Sequence, residues 1–242
     1  KKNNSKKPLI LVGQGVLISN AEDELRQLSE KTGIPVASTL LGLSAISCHH
    51  KNYVGYLGMH GNYGPNLKTN EADLLIAIGM RFDDRVTGDT TKYGTNAKII
   101  HIEIDPSEID KIIKADVAIN AEAKEAIINL IPQLKKNQYE NWINEFRTCD
   151  KVEYEKIIDW EIIVVEDKIL MADVINSISN LTKGKSIVVT DVGQHQMVTS
   201  RYYKFSESNS NITSGGLGTM GFALPASPVS YTHLRAHETP RH

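Results

Sequence analysis

Apolar and polar positions alternate in blocks along this chain. Short apolar runs occur at Pro8 to Val12, Pro35 to Leu40, Asp73 to Ile78 and Lys98 to Ile104, each followed by Gly, Asp or Pro and then a polar or helical segment. Runs of this length without alternation suit strands buried on both faces, as in a parallel sheet. Between the first two, Ala21, Leu25 and Leu28 recur at helical spacing. Ser19 with Glu22 three residues on has the form of a capping box, and Gly33 with Pro35 beyond it predicts the stop. Strand, glycine turn and helix open a βαβ unit. Val117 to Ile119 reads as one more strand and Ala121 to Leu134 as an amphipathic helix. From Asn137 to Trp160 the chain turns charged, with Tyr139, Trp142, Phe146 and Tyr154 interspersed, which predicts a helical connecting segment. A second α/β pattern follows: helix Asp167 to Leu181, strand Ser186 to Thr190, and a polar turn from Asp191 to His195. No internal repeat or low-complexity tract interrupts it.

Composition changes this picture little. With 242 residues, 40% hydrophobic and 23% charged, the chain can bury a core, and a net charge of -2 gives no reason to expect nucleic acid or a membrane surface as partner. No apolar run approaches the roughly 18 residues of a membrane span. Two cysteines, Cys48 and Cys149, imply no disulfide framework and fit a reducing, cytoplasmic setting. The ends do change it. Lys1 to Lys7 reads as a linker entered midway, and Val229 to Thr239 resembles one reading frame of a transposon adapter used in sequencing libraries. Residues 227–242 are therefore expected to be a translation artefact and are set aside.

Several clusters carry candidate chemistry. Gly13-Gln14-Gly15 lacks the third glycine of the dinucleotide fingerprint, so it reads either as close backbone approach to a diphosphate or as a plain tight turn. Glu103, ending its strand, offers a carboxylate to ribose hydroxyls, at a spacing longer than the roughly 20 residues of that fingerprint. In Gly79 to Gly88 an apolar strand stops at a glycine and two arginines and two aspartates follow at once: Arg81, Asp83, Asp84 and Arg85. They read as a self-compensating surface turn or, given their place after a buried strand, as ligand-binding groups. Leu57-Gly58-Met59-His60-Gly61 lets backbone lie against a planar ligand or is a glycine loop with an apolar plug. Cys48-His49-His50 has zinc-ligand types, but adjacent residues converge poorly on one ion and no second pair with ligand spacing exists in 1–226. Ser214 to Gly221, with four glycines in eight residues ahead of Phe222-Ala223-Leu224-Pro225, exposes amides to an anion without being a Walker A loop.

Together, Val12 to Gly15, Leu57 to Gly61, Gly79 to Gly88, Thr190 to Met197 and Ser214 to Pro225 resemble, in order, the catalytic large subunits of acetohydroxyacid synthase (acetolactate synthase), a family of thiamine-diphosphate and FAD-dependent carboligases. The resemblance runs from about Lys6 to Ala226. It implies a Rossmann-like parallel sheet flanked by helices as a central FAD-binding domain over 8–136. A linker (1–7) precedes it, a connecting segment (137–165) follows, and the truncated start of a thiamine-diphosphate-binding α/β domain spans 166–226. It implies FAD contacts at Gly13, Gln14, Gly15, Thr39, Leu40, Leu57, Gly58, Met59, His60, Gly79, Arg81, Asp83, Arg85, Val86, Glu103, Ile104, Asp116 and Val117. Thiamine diphosphate falls to Val192, Gly193, Gln194, His195, Gly218 and Met220, with Met220 as an apolar prop. Arg85, Asp84 and Met59 fall in the substrate channel, where a guanidinium suits a 2-ketoacid carboxylate.

The implied reaction joins two pyruvates, or pyruvate and 2-ketobutyrate, with loss of carbon dioxide. The implied assembly is a homodimer or homotetramer with a small regulatory subunit. The family's activating glutamate belongs to a first domain, and its ligands for Mg2+ lie beyond Ala226, so the chain by itself is expected to be inactive and to hold no metal. Val198 stands where relatives commonly have tryptophan, and Leu41 where glutamine is frequent. Another FAD-containing thiamine enzyme, such as glyoxylate carboligase or pyruvate oxidase, is the alternative within the superfamily. A stand-alone nucleotide-binding module is the alternative outside it.

Overall fold

The computed structural model describes residues 5–162 and 168–234, of 233 and 234 the backbone alone. Two apolar pentapeptides, β1 (Pro8–Val12) and β4 (Leu74–Ile78), lie side by side at the centre of the sheet, buried along their whole length. Only a central strand covered on both faces can bury every side chain, which is why these runs show no alternation. Around them β2 (Val36–Ser38), β3 (Tyr53–Tyr56), β5 (Lys98–Glu103) and β6 (Val117–Asn120) complete a six-stranded parallel sheet in the order β3-β2-β1-β4-β5-β6. Alternate residues feed two cores. Ile10, Val12, Ile76 and Ile78 pack with α1 (Gln14–Ile18), α2 (Glu22–Thr32) and α5 (Ala123–Leu130). Leu9, Leu11, Leu75 and Ala77 face Trp142 and Phe146 of α6 (Glu140–Glu153), which lies against α3 (Tyr63–Glu71).

Gly33, at φ 63°, ends α2 as its sequence predicts. The capping box does not form. A short helix, α1, follows β1 at once, so Ser19 closes that helix and its hydroxyl donates to Val16 O, leaving Ala21 as the uncapped start of α2. The charged segment expected to connect domains also plugs the sheet: Phe146 is fully buried and the Trp142 indole N–H donates to Pro8 O. It continues through a π-helical turn (Tyr154–Ile158) into α7 (Asp159–Glu161).

Residues 5–7 of the expected linker are pinned. The Asp73 carboxylate accepts from the Ser5 hydroxyl and from the amides of Lys6 and Lys7. Burial alone would raise the Asp73 pKa, but these donors outweigh it and hold the carboxyl below its ordinary range.

The second unit has α8 (Met171–Thr182), β7 (Val188–Thr190), α9 (Gln194–Tyr202), β8 (Asn211–Thr213) and α10 (Ala223–Leu234), with β7 and β8 paired in parallel. Asp167, the expected start of α8, lies outside the described residues. The adapter-like stretch lies partly within α10 and from 235 outside the described residues. Among the described residues no helix is long and apolar enough to cross a membrane.

Candidate functional site: two glycine-turn edges

The strand order reverses between β1 and β4, and in open α/β sheets the crevice beyond the carboxyl ends of the strands at such a point is where ligands bind. Two glycine turns meet there. Gly13 N–H donates to Ile78 O, Gly15 N–H to Gly79 O and Gly79 N–H to Ile102 O, at 2.9–3.0 Å. A Cβ on Gly13 would lie 2.2 Å from Gly79 O, and one on Gly15 2.6 Å from Gly79 Cα. These glycines are thus demanded by the approach of two backbones. Gln14, which follows Gly13, is exposed at the lip of the crevice.

The charged cluster after β4 partly compensates itself. Asp83 caps α4 (Asp84–Thr87) by accepting from Arg85 N–H at 3.1 Å, while its other carboxylate oxygen takes Arg81 at 2.6 Å. Burial would raise the Asp83 pKa, but the Arg85 amide and the guanidinium groups of Arg81 and Arg85 hold it below the ordinary range. Asp83 is therefore mostly spent on its own loop. Arg85 is not: its side chain is 71% exposed and its contact with Asp84 is long, at 3.6 Å. Val86, the next residue, packs against the core face that contains Leu57 and Phe82. Underneath, the fully buried His101 has its Nε2 2.8 Å from Met80 O and its ring edge-on to Phe82, bracing the Gly79 turn. In the sequence the only signal of His101 is a lone imidazole inside the apolar run of β5.

The Leu57 to Gly61 loop completes this rim. Met59 N–H donates to Arg85 O at 2.7 Å, and Asn66 holds Gly58 by bonds to both its N–H and its C=O. Gly58 has φ 117°, and a Cβ there would approach Arg85 O to 3.1 Å. Met59, 58% exposed, thus stands beside Arg85 with its side chain free, and His60 follows on the same loop. Thr39 caps the 3-10 turn Leu40–Gly42 and donates its N–H to Val12 O, which puts it at the end of β1 as well. Glu103 and the exposed Ile104 end β5 on the same edge.

Asp116 and Val117 do not join this group. β6 runs parallel to β5 with Val117 opposite Ile100 and Asn120 opposite Glu103, so its start lies at the far edge of the sheet. Asp116 is engaged there, accepting from Ile99 N–H and Lys98. The residues that follow β6 onto the ligand edge are Ala121 and the exposed Glu122. Strand direction distinguishes the two ends, and Asp116 and Val117 lie at the amino end of β6, away from the other expected flavin contacts.

In the second unit both segments again leave parallel strands at their carboxyl ends: Asp191 to His195 after β7, Ser214 to Gly221 after β8. Val192 leads into Gly193, at φ 148°, which starts α9 without a side-chain cap; Gln194 and His195, both exposed, follow in the first turn. Gly218 and Gly221 have positive φ and open space where a Cβ would sit, and Met220 and Leu217 are among the most exposed apolar side chains. Asp191, which opens the polar turn, binds the two segments together by accepting from Phe222 N–H at 2.8 Å. Burial opposes its ionisation, but amides of Gly221, Phe222 and Ala223 prevail and hold its pKa below the ordinary range. A helix start facing a glycine loop suits a diphosphate.

Loops of the two units touch. A Cβ on Gly215 would meet Leu41 and Leu40 side chains at 2.9–3.0 Å, and Asn211 donates to Leu40 O. A cavity of about 400 Å³ lies elsewhere, between β3, α6 and α9. Cys48, His49 and His50 form no ligand set. His50 turns to Glu30, and among the described residues no group of three or more His, Cys, Asp or Glu side chains is placed to hold a metal ion.

Interlocked glycine turns at a topological switch point, with a glycine loop facing a helix start in the second unit, mark an α/β protein of the kind that binds diphosphate-bearing ligands. The chain belongs to the thiamine pyrophosphate enzyme family: residues 3–130 match the thiamine pyrophosphate enzyme central domain and 191–228 the C-terminal TPP binding domain. It is 41% identical over 222 residues to the acetolactate synthase large subunit of Buchnera aphidicola subsp. Schizaphis graminum, covering 92% of this chain and 39% of that protein. It is 42% identical over 224 residues to the acetolactate synthase large subunit of Lactococcus lactis and 37% over 228 to isozyme 3 of Escherichia coli. The chain thus spans about 39% of the length of the curated relatives it matches.

Proposed function

We propose that the chain is part of an acetolactate synthase catalytic subunit, which condenses two pyruvates, or pyruvate and 2-ketobutyrate, with loss of carbon dioxide in branched-chain amino acid synthesis. The observation that carries this reading is the rim on which Met59 N–H meets Arg85 O. It puts one exposed guanidinium and one exposed apolar side chain at the mouth of a nucleotide crevice. A guanidinium there binds a 2-ketoacid carboxylate by paired hydrogen bonds, and Met59 shapes the space for the alkyl group. Asp84, more exposed than Arg85, tunes the charge of that mouth.

FAD fits the crevice. The interlocked Gly13, Gly15 and Gly79 turns keep side chains out of its floor, Arg81 offers a half-exposed cation to phosphate, and Glu103 offers a carboxylate to ribose. Thr39, Leu40, Leu57, Gly58, His60, Val86 and Ile104 border the same edge, and Asp116 and Val117 are left out of the proposed set. Thiamine diphosphate fits the second unit at Val192 to His195 and at Gly218 and Met220. When bound, it supplies the electron sink for loss of carbon dioxide from the first ketoacid. The chain's own share is to present amides to the diphosphate, to hold the loop closed through Asp191 and to offer Met220 as an apolar support. Mg2+, the activating glutamate and the regulatory and catalytic subunit partners are expected from other parts of the assembled enzyme.

The test is the enzyme containing this segment, assayed with pyruvate and 2-ketobutyrate together. The wild type makes both products and Arg85→Ala loses preference for 2-ketobutyrate with its fold intact. Unchanged product ratios would remove Arg85 from substrate recognition; absence of acetolactate from the wild type would leave a nucleotide-binding module without this chemistry.

A further inference from the structure

The Leu57 to Gly61 loop is held on its far side by a charged group from the other unit. Arg201, on the last turn of α9, donates through Nη1 to Gly61 O at 3.3 Å and through Nη2 to Glu153 Oε1 at 2.5 Å. The pair is deep, with side chains 19% and 2% exposed. Glu153 is engaged at the same junction: it accepts from Asn62 Nδ2 and, through Oε2, from Tyr63 N–H, the first residue of α3. Asn62 in turn accepts from Tyr56 N–H and donates its own N–H to Tyr56 O. The cluster therefore clamps both ends of the loop that presents Met59, Tyr56 before it and Gly61 and Asn62 after it.

The other end of α9 carries Gly193, Gln194 and His195. Arg201 follows Gln194 by seven residues, about 10 Å along a helix. A helix of that length moves as a rod, so a displacement at the diphosphate end is delivered to Arg201, and through Gly61 to the rim where Met59 N–H meets Arg85 O.

A buried ion pair adds little to stability that a well-packed apolar pair would not replace. What an apolar pair cannot reproduce is the direction of two donors toward Gly61 O and Glu153. We propose that Arg201 is a positioning residue: with Glu153 it fixes the Leu57 to Gly61 loop against α9, so that filling the diphosphate site strengthens binding in the flavin crevice and the reverse. This rests on the functional reading above, and it assigns the register between the two cofactor sites to one side chain.

Binding linkage is reciprocal, so one ratio measures it. In the full-length enzyme containing this segment, thiamine diphosphate affinity is measured with and without saturating FAD for the wild type and for the double variant Arg201→Met with Glu153→Gln. The glutamine keeps an acceptor for Tyr63 N–H and no charge is left unpaired. The wild type is expected to bind thiamine diphosphate about 10-fold tighter with FAD present. The double variant should fall to within about 2-fold of no effect, with its melting temperature and its affinity for each cofactor alone retained. A double variant with the full wild-type ratio overturns the assignment, as does a wild type without linkage. Should the double variant fail to fold, Arg201→Lys decides. A single ammonium keeps Glu153 but forfeits Gly61 O, so the ratio drops severalfold at unchanged stability, and an undiminished ratio refutes the proposal. A wild type that binds both cofactors with linkage yet forms no acetolactate would sink the functional reading and leave this one standing.

Discussion

Replacing Gly79 by alanine tests the interlocked turns directly, and Gly94 supplies the comparison within the same unit. The two glycines have nearly equal positive φ, 57° and 58°. An L-residue there costs about 1–2 kcal/mol. Their surroundings differ in kind. A Cβ at Gly94 meets only the tip of Leu75 at 3.0 Å, a methyl that can rotate away, whereas a Cβ at Gly79 lies 2.7–2.9 Å from Gly15 Cα, Gly15 C and Val16 N. Backbone cannot step aside without moving β1, so an overpacking cost of about 1–3 kcal/mol is added. Gly94→Ala should therefore lose about 1–2 kcal/mol and Gly79→Ala about 2–5. At roughly 2–4 °C per kcal/mol for a chain of this size, the expected drops are a few degrees against something on the order of 10 °C. Thermal and urea unfolding followed by circular dichroism on the two variants checks this, with flavin affinity as a second readout that only Gly79→Ala should weaken. Equal losses for the two variants would refute the idea that the approach of the turns, rather than the left-handed backbone, demands glycine at 79.

Other expectations follow from single contacts. Trp142→Phe keeps most of the buried ring but leaves Pro8 O without its donor, so a loss of about 1–3 kcal/mol is expected in urea unfolding, and an unchanged midpoint would count against that bond. Asp73 has a folded pKa below its ordinary value, so its contribution is present above about pH 4 and is lost as pH falls through the depressed pKa. In Asp73→Asn the stability curve should accordingly be flatter below about pH 4, and a slope equal to the wild type's would argue against the carboxylate. Asp191→Ala releases the glycine loop from β7, which should weaken thiamine diphosphate binding and open the chain near Gly218 to proteolysis while the first unit keeps its melting behaviour.

The central strands were legible because burial on both faces writes itself as an unbroken apolar run, and Gly33 because its left-handed cap has no cheap substitute. β3 was not: Tyr53 to Tyr56 is short, contains Gly55 at φ 111° and takes its bonds from a bulged edge with β2. Nor was α3, whose sequence Tyr63 to Glu71 has no apolar stripe because α6 packs close against it at Gly64. At the site, residues adjacent in sequence to glycine turns were found readily. Asp116 and Val117 lie at the amino end of β6, and a strand's sequence does not show which of its ends reaches the carboxyl edge of the sheet. His101, Asp191 and the Arg201 with Glu153 pair act through partners tens of residues away, and local pattern holds no trace of such pairs.

The fastening of Ser5, Lys6 and Lys7 to Asp73 makes the start of the sheet a fixed reference mark. Lys6 has its amide bonded and its side chain in solvent, so a spin label placed there would report the orientation of the whole sheet rather than its own wandering. Paired with a label at the exposed Leu181 of α8, it would turn any shift of one unit against the other on cofactor binding into a change in a single measured distance.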